Sequence, residues 1–421
     1  MNDTPQIGRR QSTRDRVASV DAFRGLTILA MAFVNELAGM KDIPPWMKHF
    51  PANGDGMTFV DVVFPAFLFV MGMAIPFALG GRIERGERWP RVCGHVLART
   101  ARLVIMGVFM VNMSGVNAEL TGMTRAQWCL AVYMGFMLIW NDYPASIPEA
   151  IRLILRLVGI GVLVVMAAAY GAEEQGRLVR MRTSWWGILG LIGWAYLVAS
   201  VIYLAFRNRP AGIAGMLAMC VAIFIGDKTG MLGWLDGLGT VSVGRLHLDL
   251  RVHEYFNVGG HIGGHTAVAL AGVLVARAIR RPDAPPSAGR RIGLMLLLAA
   301  SFMAGGFLLR SAFGINKNAA TPTWGLYSAG FATLVFGVLY VIMDVVGWTR
   351  WSFFLRPAGA SAIVAYILPS IIESGLSLAG ITWLDTHFNA GNQAIVRSAV
   401  FALLIVALTG GLMRLQVRLK V

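Results

Sequence analysis

The chain has 421 residues, of which 56% are hydrophobic and only 14% charged, and its mean hydropathy is +0.63. A soluble domain carries about 25% charged residues, so this composition excludes a water-soluble protein and points to one embedded in a lipid bilayer. The formal net charge of +15 is spread through short connectors between apolar runs, with no free-standing basic domain, which excludes nucleic acid as a partner.

In chain order, Arg9, Arg10, Arg14 and Arg16 precede the first apolar run, and no small-residue cleavage site follows it. Residues 1–19 therefore read as a cytoplasmic N-terminal segment ahead of an uncleaved helix, and 20–421 as a single transmembrane domain. A hydrocarbon core of about 30 Å needs about 17–25 apolar residues per helix. Twelve windows are candidates: 22–40, 58–79, 92–112, 126–143, 150–170, 185–206, 211–226, 259–279, 291–313, 323–346, 357–378 and 395–415. The shortest is 211–226. The expected fold is all-α, a polytopic helical bundle of about 11–12 transmembrane helices. Arginines concentrate in 80–91, 207–210, 280–290 and 347–356, which places those connectors and both termini in the cytoplasm. The connector 171–184, with Arg177, Arg180 and Arg182, runs against that pattern. Cys93, Cys129 and Cys220 have no metal-ligand spacing and read as core residues.

The first hairpin, Val20 to Leu79, carries more charge than an anchor needs. Each charged group in hydrocarbon costs about 2.5–3.5 kcal/mol on insertion scales, so such groups have partners or a task. Asp21 and Arg24 share a helix face at the inner mouth, as an interfacial ion pair or with Arg24 near a phosphate-bearing ligand. Asn35, Glu36, His49 and Asp61 gather at the outer end. His49 is a surface histidine or a general base, and Asn35 could hold a carbonyl oxygen or orient that base. Asp61 follows Thr58 by three, so it reads either as a helix cap or as the carboxylate that orients His49. Arg99 and Arg102 are topology anchors or part of a nucleotide site at the inner mouth. His261 and His265 share a helix face, but Ile262 stands where a zinc HExxH motif has Glu, so cavity lining is expected and no metal. Glu254, Lys317 and Asn318 also fall on the outer side, and with His261 they are the candidate substrate-binding residues.

The motifs SVDAFRGLTILAMAFVNELAG and KHFPANGDGMTFVDVVFPAFLFVMGMAIPFAL, with INKNAATPTW and RPAGASAIVAYIL later, resemble the transmembrane acetyltransferase family of heparan-α-glucosaminide N-acetyltransferase. Within it the chain looks most like short bacterial homologues lacking a large luminal N-terminal domain. The resemblance implies transfer of acetyl from cytoplasmic acetyl-CoA, as co-substrate, to the amino group of a glucosamine-type sugar or glycan at the outer face. It implies a multi-pass protein of the plasma (inner) membrane, and a homodimer. His49 matches the family's catalytic histidine, Asn35 its active-site asparagine, Asp21 and Arg24 the start of its signature helix, and Asp61 the acid opening the next helix. The chain departs from the pattern between Asn35 and His49, in HFPAN, and at Ser361, where an asparagine is expected. The competing expectations are a transporter of amino sugars or oligosaccharides and a membrane scaffold.

Overall fold

An apolar run can cross hydrocarbon only where its backbone groups are paired within the segment, which selects helices here. The computed structural model describes residues 17–238, 240–243, 246–249, 256–280 and 287–420; the four N-terminal arginines and Glu254 lie outside the described residues. The helices are α1 (Ala18–Leu37), α2 (Phe59–Glu84), α3 (Trp89–Asn112), a short α4 (Ala118–Thr121), α5 (Arg125–Trp140), α6 (Glu149–Ala169), α7 (Gly187–Phe206) and α8 (Pro210–Lys228). A π-helical turn, Gly259–His265, then runs into α9 (Thr266–Ile279). After it come α10 (Ala288–Phe313), α11 (Pro322–Tyr340), a short α12 (Arg356–Ala360), α13 (Ala362–Leu378), a short α14 (Trp383–His387) and α15 (Gly391–Arg414). Two small antiparallel ribbons complete the described elements, β1 (Ala172–Glu174) with β2 (Arg177–Val179) and β3 (Thr240–Val243) with β4 (Leu246–Asp249).

The helical membrane bundle is as expected, and each of the twelve windows contains a helix, although 22–40 and 126–143 end early and 357–378 is broken at Ser361. Ten helices among the described residues are long and apolar enough to cross a membrane, and the pair Arg350–Ala360 and Ala362–Leu378, bent by 76°, is so when its two parts are taken together, as a broken span or a re-entrant loop. The exceptions fall elsewhere than length in sequence suggests. The short window at 211–226 becomes a full 19-residue helix, started by Pro210 in its first turn, where a missing N–H costs nothing. The window 126–143 yields only the 16 residues of α5, about 24 Å of rise. It stops because the chain beyond Trp140 pairs with the C-terminal segment: Asp142 N donates to Arg418 O at 2.7 Å, and Lys420 N donates to Trp140 O at 2.9 Å.

Val17 and Leu419 line one cavity, so the two ends of the described chain share a face, here the terminal face. The loops 41–57, 314–321 and 379–390 interlock on the far face, through Gly56 N to Ile315 O at 2.9 Å and a bridge between Lys41 and Ala390. Helices α2 and α9 cross at the centre. A Cβ on Gly72 would run into Ala269 O, and one on Gly272 into Phe69 O, so these two glycines set how closely the backbones approach. Nearly every residue of α9 is buried, whereas α6 exposes Leu153, Leu157 and Val164, as befits a helix at the lipid-facing edge. Asp344 accepts from Ala18 N and Ser19 N, both at 3.1 Å, and so places an anion at the start of α1.

Candidate functional site

A chamber of about 670 Å³ opens at the far face, within the range of small-molecule sites. Asn35 at the end of α1, His49 in the following loop and Lys317 and Asn318 before α11 all line it, and His261 and His265 form part of its wall. Local sequence explains how these are brought together. Thr58 and Asp61 start α2 as a capping box, in which Asp61 Oδ2 accepts from Thr58 N at 3.1 Å. The same oxygen accepts from Phe50 N at 3.0 Å, which pulls the His49 loop onto the helix end. Asp61 Oδ1 is thereby turned to His49 Nδ1, 2.8 Å away. Cap and histidine partner, rival readings in sequence, are the two oxygens of one carboxylate.

Asp61 is only 2% exposed, and its backbone is pinned as well: Trp324 Nε1 donates to Asp61 O at 3.0 Å. An ionised carboxylate is acceptor-only, and Thr58 N, Phe50 N and the Lys317 ammonium each offer it a proton. Lys317 Nζ lies 3.4 Å from Asp61 Oδ1 and 2.9 Å from His49 Nδ1. The loop that carries it is fixed to the His49 loop by Ile315 N to Asp55 Oδ1 at 2.7 Å and by Asn316 Nδ2 to Ala52 O at 2.6 Å. A histidine with its Nδ1 held by a carboxylate has its Nε2 available as a base, which is the arrangement general-base chemistry needs.

His261 and His265 are buried, with rings 6.0 Å apart and inclined by 23°, in a cage of Phe64, Phe256 and Trp324. Among the described residues, no third His, Cys, Asp or Glu joins them in a group that could hold a metal. Other polar outliers of the first hairpin and the outer loops go elsewhere. Glu36 accepts from Arg397 Nε at 2.9 Å, and Arg397 also reaches Asp385 at 2.8 Å; this trio ties α1 to α15 and does not line the chamber.

A second cavity, about 490 Å³, opens at the terminal face. Asp21, Arg24 and Arg99 line it, as does Ser361, at the break between α12 and α13. Asp21 and Arg24 stand 4.0 Å apart, and Arg24 Nη1 donates to Gly359 O at 3.1 Å. The Arg99 guanidinium lies over the Tyr196 ring, 4.7 Å from its centre. Arg102 is not among the lining residues: its Nη1 donates to Lys420 O at 3.0 Å. The two cavities share Phe67 of α2 and Ile192 of α7 on their walls, so these side chains stand where one chamber meets the other.

Sequence reasoning missed Phe67, Ile192, Tyr366 and the Ser184–Trp185 pair, all of which line the chambers. The first three are apolar or aromatic residues within apolar spans, and composition carries no signal for them.

The fold and these cavities define a multi-pass helical membrane protein with a polar, histidine-bearing chamber on one face and an arginine-bearing one on the other. Residues 16–234 match the family described as "Domain of unknown function (DUF5009)", and the chain belongs to that family. It is also similar to heparan-α-glucosaminide N-acetyltransferase of Mus musculus, at 36% identity over 104 residues, and of Homo sapiens, at 35% over 109 residues. The matches cover 24% and 26% of this chain but only 15% and 16% of those relatives.

Proposed function

We propose that the protein is an acetyl-CoA-dependent acetyltransferase that works across the membrane on the amino group of a glucosamine-type sugar or glycan. The observation that carries this reading is the His49–Asp61 pair in a far-face chamber that meets an arginine-bearing chamber from the opposite side. The similarity to the two N-acetyltransferases supports the chemistry. The Arg-rich connectors support a cytoplasmic terminal face, and with it a plasma (inner) membrane setting.

In this reading Arg24 and Arg99 hold the nucleotide phosphates at the terminal face, where guanidinium groups pair well with phosphate. The narrow pantetheine arm passes Phe67 and Ile192 and delivers the thioester to the far chamber. The acceptor amine attacks the thioester carbonyl carbon while His49 Nε2 takes a proton from the nitrogen, and Asp61 steadies the imidazolium that forms. The C–S bond then breaks, and the thiolate leaves as CoA and takes up a proton. Asn35, on the same chamber wall, supplies an amide N–H for the carbonyl oxygen as it gains charge. His261, Lys317 and Asn318 line the space left for the acceptor.

A carrier of amino sugars is the second reading, because paired cavities separated by two apolar side chains also suit alternating access. Purified protein given radiolabelled acetyl-CoA and glucosamine separates the two. N-acetylglucosamine should form, and His49→Ala should lower kcat by about 100-fold or more. Full activity in that variant would remove His49 from the mechanism, and amino-sugar flux into proteoliposomes without acetyl-CoA would favour the carrier.

A further inference from the structure

His49 Nδ1 lies within hydrogen-bond reach of both Asp61 Oδ1, at 2.8 Å, and Lys317 Nζ, at 2.9 Å. One ring nitrogen cannot serve both. Protonated, it donates to Asp61; unprotonated, it accepts from the ammonium. The two neighbours also pull oppositely on a second proton: a carboxylate draws it onto the ring, and an ammonium opposes it. The backbone that carries the ammonium is fixed beside His49, because Ile315 N and Asn316 Nδ2 anchor its loop to Asp55 and Ala52. Burial pulls the pKa of Lys317 down from the ordinary lysine value, while Asp61 pulls it back up.

We propose that Lys317 is a positioning residue: with its ammonium turned to Asp61 Oδ1, 3.4 Å away, and His49 Nδ1–H donating to the same oxygen, its charge opposes a second proton on the ring, so that Nε2 stays available as a base. No other charged group touches this ring in the described structure. Asp55 is turned to Ile315 N and to Arg310, 3.9 Å away, and the remaining polar side chains of the chamber, Asn35, Asn318, His261 and His265, carry no fixed charge. The balance at His49 is therefore set by one carboxylate and one ammonium. Resting on the acetyltransferase reading, there is a consequence for substrate form. A cation in the chamber wall disfavours an incoming ammonium and favours the free amine, the form with the lone pair that attack requires.

The test reads His49 directly. Diethylpyrocarbonate modifies neutral imidazole, so the rate of modification of the His49 peptide against pH, followed by mass spectrometry, gives the titration midpoint of that ring. Lys317→Met should displace the modification profile toward higher pH, since an opposing charge is removed and Asp61 is retained. Lys317→Gln, which keeps a donor toward Asp61, should do the same should the Met variant fold poorly, and Lys317→Arg should restore wild-type behaviour. A midpoint unmoved or lowered in both neutral variants overturns the proposal. The reaction needs no acetyl-CoA, so this result is independent of whether the protein transfers acetyl groups.

Discussion

At the far face, three chain segments converge on Asp61, and both of its carboxylate oxygens are held by short contacts. At the terminal face, Asp21 and Arg24 stand 4.0 Å apart, Arg24 Nη1 donates to Gly359 O at 3.1 Å, and the Arg99 guanidinium rests on the Tyr196 ring. The contrast matches the tasks proposed for each end. Proton transfer depends on placement to fractions of an ångström, so the groups that carry it are over-determined. A flexible, multiply charged nucleotide can be held by long guanidinium side chains that adapt to it. A rigid chemical end and a compliant binding end can be broken separately, the first at the larger cost.

Asp61→Asn should have the largest effect. The amide keeps the shape and one acceptor for the cap, but its NH2 would donate to His49 Nδ1 and drive the ring proton to Nε2, the wrong place for a base. By analogy with the same change in serine-protease triads, kcat should fall by about 10³-fold or more, while KM for acetyl-CoA stays close to wild type. The accompanying loss of stability should be small, about 1 kcal/mol for a disturbed cap, and visible as a modest drop in Tm. Steady-state kinetics beside a thermal melt separate the two roles. Intact kcat with a lowered Tm would reduce Asp61 to a helix cap.

Phe67→Trp comes next, because it adds bulk where the two cavities meet. Transfer from acetyl-CoA should fall by about tenfold to a hundredfold through misplacement of the thioester. A short thioester such as S-acetylcysteamine, supplied from the far side, should lose less, since it need not pass this point. Equal losses with both donors would mean that Phe67 acts on the far chamber as a whole and not on passage between chambers.

Much of this arrangement is legible in sequence, for a physical reason. Charges are costly in hydrocarbon, so Asp21, Arg24 and Asp61 stand out against an apolar background. The spans follow from hydropathy, and the sharing of one face by the two ends of the described chain agrees with the arginine-rich connectors on that side. Phe67 and Ile192 do not stand out, because an apolar side chain between two cavities looks like any other residue of its helix. The same holds for the break at Ser361 and for Asp344, whose partnership with α1 joins residues more than 320 positions apart. The end of α5 is also set from afar, by pairing with residues 418–420, so its length was hidden in its own window. Lys317 shows a further limit. Its side of the membrane is readable, but its contact with His49 depends on two loops interlocking, and no local pattern encodes that.

The smallest effects should come from the compliant end. Arg99→Gln should raise KM for acetyl-CoA about tenfold, the equivalent of about 1.4 kcal/mol, with kcat little changed, since it removes binding shared by ground and transition states. The increase should shrink as salt rises, because ions screen the same attraction. Arg102→Gln is the matched control: one turn further along α3, it faces the C-terminal backbone at Lys420 and not the cavity. It should change KM less than twofold and show its effect, if any, in Tm. If both variants raised KM equally, the nucleotide would be attracted by the general charge of this face, and the cavity would lose its claim to bind it. If Arg99→Gln alone does so, the phosphate site lies in the cavity that Arg24 and Arg99 line, across Phe67 and Ile192 from the chamber of His49.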